Sequence, residues 1–260
     1  MNEYTLLKER FGKSVFKNDS EKTKIKAIEK AYADMSRRAS GHKPAIKEAC
    51  VKWLNEEVFS STLSIHNFDT WHKETCSALI KKFNSVNPTF GTVGRAQKVI
   101  NMAFKYFSCI TNDYDDYLRF AHMTLDGYTL AWYKDVVMPW AKKNNLKDVS
   151  TLIEWSKIND YDGHYMLIQE NIRQYLKENQ SYSVIIGQKN TPLLNLPRIP
   201  FEAEFIVWEG EIVKAKYDNL IKELSKYKTK TKGKEAGRTK DSWLIGIFFD
   251  DFLKSYCKSL

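Results

Sequence analysis

The sequence has little of what usually announces a chemistry. It carries four cysteines, Cys50, Cys76, Cys109 and Cys257, and no two are near neighbours. Without a Cys-x-x-Cys pair, neither a disulfide framework nor a cysteine-based zinc knuckle is expected, and buried free thiols are. No apolar run approaches the roughly 20 residues of a membrane span, and the first ten residues hold no apolar signal-peptide core. A cytoplasmic protein with no membrane association is therefore the expectation. There is no Gly-Lys-Ser/Thr phosphate loop, no His-Glu-x-x-His zinc helix and no Gly-x-Ser-x-Gly elbow. No cofactor and no metal site is implied. Internal repeats and the rhythm of a βαβ fold are missing as well. Gly91-Thr-Val-Gly94 opens a helix whose free amides could hold an anion, yet it lacks the preceding strand of a dinucleotide fold.

What is present is material for a core and an uneven distribution of charge. Of the 260 residues 43% are hydrophobic and 13% aromatic, and the net charge is +9. Residues 226–240 contain seven basic side chains and one acid, Glu235, so this stretch alone supplies +6. The basic excess is local, and the rest of the chain need not attract polyanions.

Apolar spacing predicts a mostly α fold, a single compact multi-helix domain with at most one short strand pair near 182–186. N-terminal helices occupy 1–66 and a helical core 67–227. A mobile lysine-rich loop follows at 228–240, then a C-terminal helix at 241–260. Ile25, Ile28, Ala31, Tyr32 and Met35 mark one helix. Pro44 starts another, running to about Phe59. Asn67 or Asp69 caps the next. Ser150 opens a short helix ending near Trp155, and Asp160 or Asp162 caps one that runs through Tyr175. Pro139 interrupts the helical pattern of 128–143. Pro192, Pro197 and Pro200 make the stretch after residue 186 extended loop. Helical spacing then resumes from Phe201 to about Tyr227, with Gly210 a weak spot in it.

The helix that follows Thr92, its expected N-cap, concentrates the polar candidates. Ala96, Ile100, Ala103 and Phe107 form its apolar face. Gln97, Asn101, Lys105 and Ser108 run down another, with Arg95 and Lys98 beside them. Such a donor-rich stripe suits phosphate, carboxylate or a nucleobase; it suits equally a solvated face or an internal hydrogen-bonding rib. Gln169 and Arg173, four apart, repeat the trait. The two helices could face each other across an anion- or nucleotide-sized cleft, or their side chains could satisfy one another. His122 lies four residues before Asp126. A carboxylate there could orient the imidazole for general acid–base catalysis, or simply hold a short helix to its cap. His66 and His72 would need a distant third ligand to hold a metal. Asp113, Asp115 and Asp116 read as a solvated turn.

The phrases Phe90-Gly-Thr-Val-Gly-Arg-Ala-Gln-Lys-Val-Ile-Asn-Met-Ala-Phe-Lys-Tyr106, His122-Met-Thr-Leu-Asp126, Trp155-Ser-Lys-Ile158 and Phe201-Glu-Ala-Glu-Phe-Ile-Val-Trp208 together resemble a family of uncharacterised bacterial and phage proteins. The ordered set spans about residues 70–210. The resemblance implies an α-rich fold in which Gln97, Lys98, Asn101, Lys105, His122 and Asp126 belong to one pattern. It implies no activity, and its hosts imply a setting of phage–host conflict.

Three functions follow as expectations. The first is binding of a nucleotide-like anion or nucleic acid through Arg95, Gln97, Lys98, Asn101, Lys105, Gln169 and Arg173, with the lysine-rich loop adding salt-sensitive attraction. The second is a protein–protein inhibitor or assembly factor, with a partner chain or a second copy docking on the apolar C-terminal helix. The third is a nuclease or nucleotide hydrolase using His122 and Asp126.

Overall fold

A computed structural model describes residues 3–16, 23–37, 39–59, 67–112, 115–179, 181–186 and 189–230. His66, Asp113, the lysine-rich remainder 231–240 and the expected C-terminal helix at 241–260 lie outside them. The fold is mostly α. In chain order the helices are α1 (Glu3–Val15), α2 (Lys24–Ser36), α3 (Pro44–Trp53), α4 (Phe68–Val86), α5 (Val93–Phe107), α6 (Asp115–Leu118), α7 (Gly127–Trp132), α8 (Met138–Lys143), α9 (Leu167–Glu178) and α10 (Pro200–Lys230). β1 (Ser181–Ile186) and β2 (Lys189–Asn195) pair antiparallel between α9 and α10, with Ile186 opposite Lys189. β1 lies at the strand expected near 182–186, whereas β2 forms within the stretch after residue 186 that was expected to be extended loop; at a two-stranded edge its ladder tolerates Pro192 opposite Ser183. Residues 2–212 form a compact helical unit, and the chain from residue 213 belongs to a second one.

The helix starts are chosen by short polar side chains. Thr23, Asn67 and Thr92 each accept a hydrogen bond from the backbone three residues on and so cap α2, α4 and α5. Asp126 caps α7 in a capping box with Thr129. Pro139 leaves its mark as a π-helical turn, Tyr133–Val137, ahead of α8; a proline has no N–H for the regular ladder. Two further π turns follow α3 (Leu54–Val58) and precede α9 (Tyr161–Met166).

α5 is the element the unit is built around. It packs on α2, on α4, on the 3₁₀ turn Trp155–Lys157 and on the π turn before α9. Every residue of α5 except Arg95 is buried, its polar residues included. Its start is fixed by backbone contact. The Gly94 N–H donates to the Ile158 carbonyl at 2.9 Å, and the Thr92 hydroxyl donates to the Ser156 carbonyl at 2.9 Å. A Cβ at Gly94 would overlap the Trp155 carbonyl oxygen, so only glycine lets the two backbones meet. The amides of Gly91 and Gly94 are therefore taken by Asn84 and Ile158 and are not free for an anion.

Four expectations are corrected. The helix predicted from Ser150 is absent; residues 150–154 are non-helical, and the carbonyls of Ser156 and Ile158 in and just after the 3₁₀ turn that follows accept from Thr92 and Gly94 at the start of α5. Ile25 is 44% exposed rather than facing the core. Gly210 is no weakness: the Tyr182 ring of β1 lies where its side chain would stand. The stretch expected to turn mobile from residue 228 continues as helix through Lys230, because no glycine or proline interrupts it and lysines near a helix C-terminus favour the dipole.

Candidate functional site

Residues 121–126 are all buried and belong to no helix or strand. Their backbone polar groups need partners, and side chains provide them. Gln97 Nε2 donates to the Leu125 carbonyl at 2.7 Å while the Leu125 N–H donates to Gln97 Oε1 at 3.2 Å. Gln169 repeats this on Met123, donating to its carbonyl at 2.7 Å and accepting its N–H at 3.2 Å. Between them, the Thr124 N–H donates to Glu204 Oε2 at 2.7 Å and the Thr129 hydroxyl donates to the Thr124 carbonyl at 2.6 Å. Two primary amides and a carboxylate do what neighbouring strands do in a sheet.

The rest of the α5 stripe is equally occupied. Asn101 Nδ2 donates to Gln97 Oε1 at 3.1 Å and to the Tyr165 hydroxyl at 3.0 Å. Lys105 is 1% exposed. Its Nζ donates to Glu204 Oε1 at 2.9 Å and lies 4.6–5.1 Å from the ring centroids of Phe11, Phe205 and Trp208, a carboxylate and three aromatic faces around one ammonium. Lys98 holds its Nζ 4.5 Å from the Trp155 centroid and 3.8 Å from Asp126. Arg95 alone reaches outward. Its guanidinium lies over Phe90, Nη1 donates to the Phe90 carbonyl at 2.7 Å, and its buried Nε has no partner. Of the readings open for the stripe, the geometry is that of an internal rib. The two amide stripes meet through residues 121–126 rather than across an open cleft.

His122 does not pair with Asp126. Both of its ring nitrogens are engaged elsewhere: Nε2 lies 2.7 Å from Asp69 Oδ1 and Nδ1 lies 2.9 Å from the Tyr165 hydroxyl. Asp126 is spent on the α7 capping box and Lys98. Asp69 is also gripped by Arg173 through two bonds of 2.8 and 2.7 Å. His72 completes the cluster, with Nε2 at 2.9 Å from Asn101 Oδ1 and Nδ1 at 2.7 Å from the Tyr161 hydroxyl; its ring centroid is 4.5 Å from that of His122. The π turn brings Tyr161 and Tyr165 into the cluster together.

Burial pushes the His122 pKa down to about 4, helped by the Arg173 charge and opposed by Asp69. Burial and then the neighbouring His122 lower that of His72. Burial works against the Asp69 carboxylate, but its bonds to Arg173 and His122 prevail and hold it well below the usual carboxylate range. The imidazoles are neutral near pH 7 and fully bonded. Cys76 approaches His72 within 3.7 Å, but burial raises its thiol pKa, the opposite of what a nucleophilic cysteine requires. On sequence alone His72 reads only as a metal ligand beside His66 and Asp69 only as a helix cap, and Tyr161, Tyr165 and Glu204 are not read as members of the cluster. Among the described residues, no group of three or more His, Cys, Asp or Glu side chains is placed to hold a metal ion.

The remaining candidate is the charge at the C-terminal side. Residues 213–240 hold ten basic and three acidic residues, a net +7 of the chain's +9. Residues 213–230 of this stretch are helical, as the continuation of α10. No helix among the described residues is long and apolar enough to cross a membrane. Comparisons with known protein families, with curated proteins and with solved structures found no match.

Proposed function

We propose that this protein binds a polyanion of the nucleic-acid type, and that it does so through residues 213–240. The observation that carries the reading is where the charge lies: 28 residues hold +7, and the other 232 hold +2 between them. Neutralising phosphates with lysine releases condensed counterions, and that gain needs density of charge rather than a shaped pocket. The α5 stripe, by contrast, is committed to internal partners, which favours a polyanion over a nucleotide held between helices. The resemblance to bacterial and phage proteins adds phage–host conflict as the proposed setting.

The test is fluorescence anisotropy with labelled single- and double-stranded oligonucleotides. The full chain is compared with a variant in which Lys226, Lys228, Lys230, Lys232 and Lys234 are all glutamine. The variant is expected to bind at least about a hundredfold more weakly at moderate salt. Equal affinity in the two proteins would overturn the reading and favour a protein partner, with the apolar residues 241–260 as the first segment to test.

A further inference from the structure

The hydrogen bonds from residues 121–126 to the Asp69 carboxylate form a chain in which each group fixes the polarity of the next. Gln97 cannot flip its amide, because its two ends read the Leu125 carbonyl and N–H. Its Oε1 therefore faces Asn101 and orients the Asn101 amide, with Nδ2 toward Gln97 and Tyr165 and Oδ1 toward His72. The Tyr165 oxygen accepts from Asn101, so its own proton goes to His122 Nδ1. His122 is left as the Nε2–H tautomer donating to Asp69. Every link is satisfied with His122 uncharged, and in no other way without turning Gln97.

A second proton on His122 breaks this order. Nδ1–H would donate to the Tyr165 oxygen, filling its second lone pair, and the Tyr165 proton would be left buried without an acceptor. An unpaired buried donor is costly, and so is an imidazolium in this interior. The groups facing the ring are Asp69 and His72 of α4, Tyr161 and Tyr165 of the π turn, and Arg173 of α9. Glu204 stands at the same segment, bonded to the Thr124 amide, with Lys105 on its other oxygen.

We infer that His122 is an acid-sensitive latch: in its uncharged form it holds residues 120–126 against α4 and α9, and on taking a second proton it releases that segment while α5 stays folded. The sign follows from linkage. A released His122 regains an ordinary pKa near 6.5, whereas the latched one titrates at about 4. The released state thus binds more protons between these values, and the latch weakens as pH falls from about 6.5 toward 4. Asp69 stays ionised throughout this window, since its pKa lies below it.

Amide hydrogen exchange of the full chain, resolved by residue and corrected for the intrinsic pH dependence, tests the latch. From about pH 7 to about pH 4.5, protection at Met123, Thr124 and Leu125 is expected to fall at least roughly tenfold relative to Ile100 and Ala103 of α5. In His122→Gln that relative loss should disappear. An equal acid response in the variant would assign the trigger to another group and overturn the proposal. So would a parallel loss of protection in α5, which is global acid unfolding. Should His122→Gln not fold, the wild-type chain decides: the NMR titration of the His122 ring and the loss of Leu125 protection must share a midpoint, and separate midpoints refute the latch.

Discussion

Lys105 shows at the scale of one residue what the interior of this protein demands. Its ammonium is enclosed by Glu204 and three aromatic rings, and Glu204 in turn satisfies the Thr124 amide. Lys105→Met should keep the packing of the stem but strand a carboxylate oxygen in the core. Breaking a buried pair in this way costs about 3–5 kcal/mol, so the thermal midpoint should fall by roughly 10 °C. Adding Glu204→Gln should recover much of the loss, because an amide oxygen can still accept from Thr124. Thermal melts of the single and double variants check this; a double variant no better than the single would show that the ion pair is not what Glu204 serves. The lysine was legible in the sequence as a donor on a helical stripe. Its partner was not, because Glu204 lies 99 positions away and spacing along one helix says nothing about which distant chain packs on it. The His122 case is the same: the nearby Asp126 was a natural partner by sequence, but the cap of α7 had first claim on it.

At the scale of elements, the fixed points are the start of α5 and the buried segment 121–126. Gly94→Ala should push the Trp155–Lys157 turn off α5 and break the bonds to Ser156 and Ile158, at about 2–4 kcal/mol. Gly127→Ala is the control. Nothing lies within 4 Å of the added Cβ, and the change should stay within about 0.5 kcal/mol. Urea unfolding of both variants measures the contrast, and similar losses would mean that close backbone approach is not what Gly94 provides. Helices with marked ends were readable in advance: Asn67, Thr92 and Asp160 all cap where expected. Residues 121–126 were not readable as a buried segment. A lone segment outside helix and strand has no ladder partner in the pattern, and its substitute partners, Gln97, Gln169 and Glu204, come from three separate helices.

At the scale of the whole molecule, two demands are divided along the chain. Within residues 2–212, the polar side chains of α5 and of its neighbours Gln169 and Glu204 turn inward, on one another and on the backbone, and the net charge up to residue 212 is only +3. Residues 213–240 carry +7. That division was half visible in the sequence: the lysine-rich stretch stood out, but its continuity with a regular helix through Lys230 did not, since composition alone made it look like loop. The salt dependence of oligonucleotide binding bears most directly on where binding resides. For the full chain and duplex DNA, the logarithm of the association constant should fall linearly with the logarithm of salt concentration. With glutamine at Lys226, Lys228, Lys230, Lys232 and Lys234, the slope should be shallower by up to about 4.5, close to 0.9 for each phosphate no longer neutralised. Identical slopes in the two proteins would contradict binding through residues 213–240.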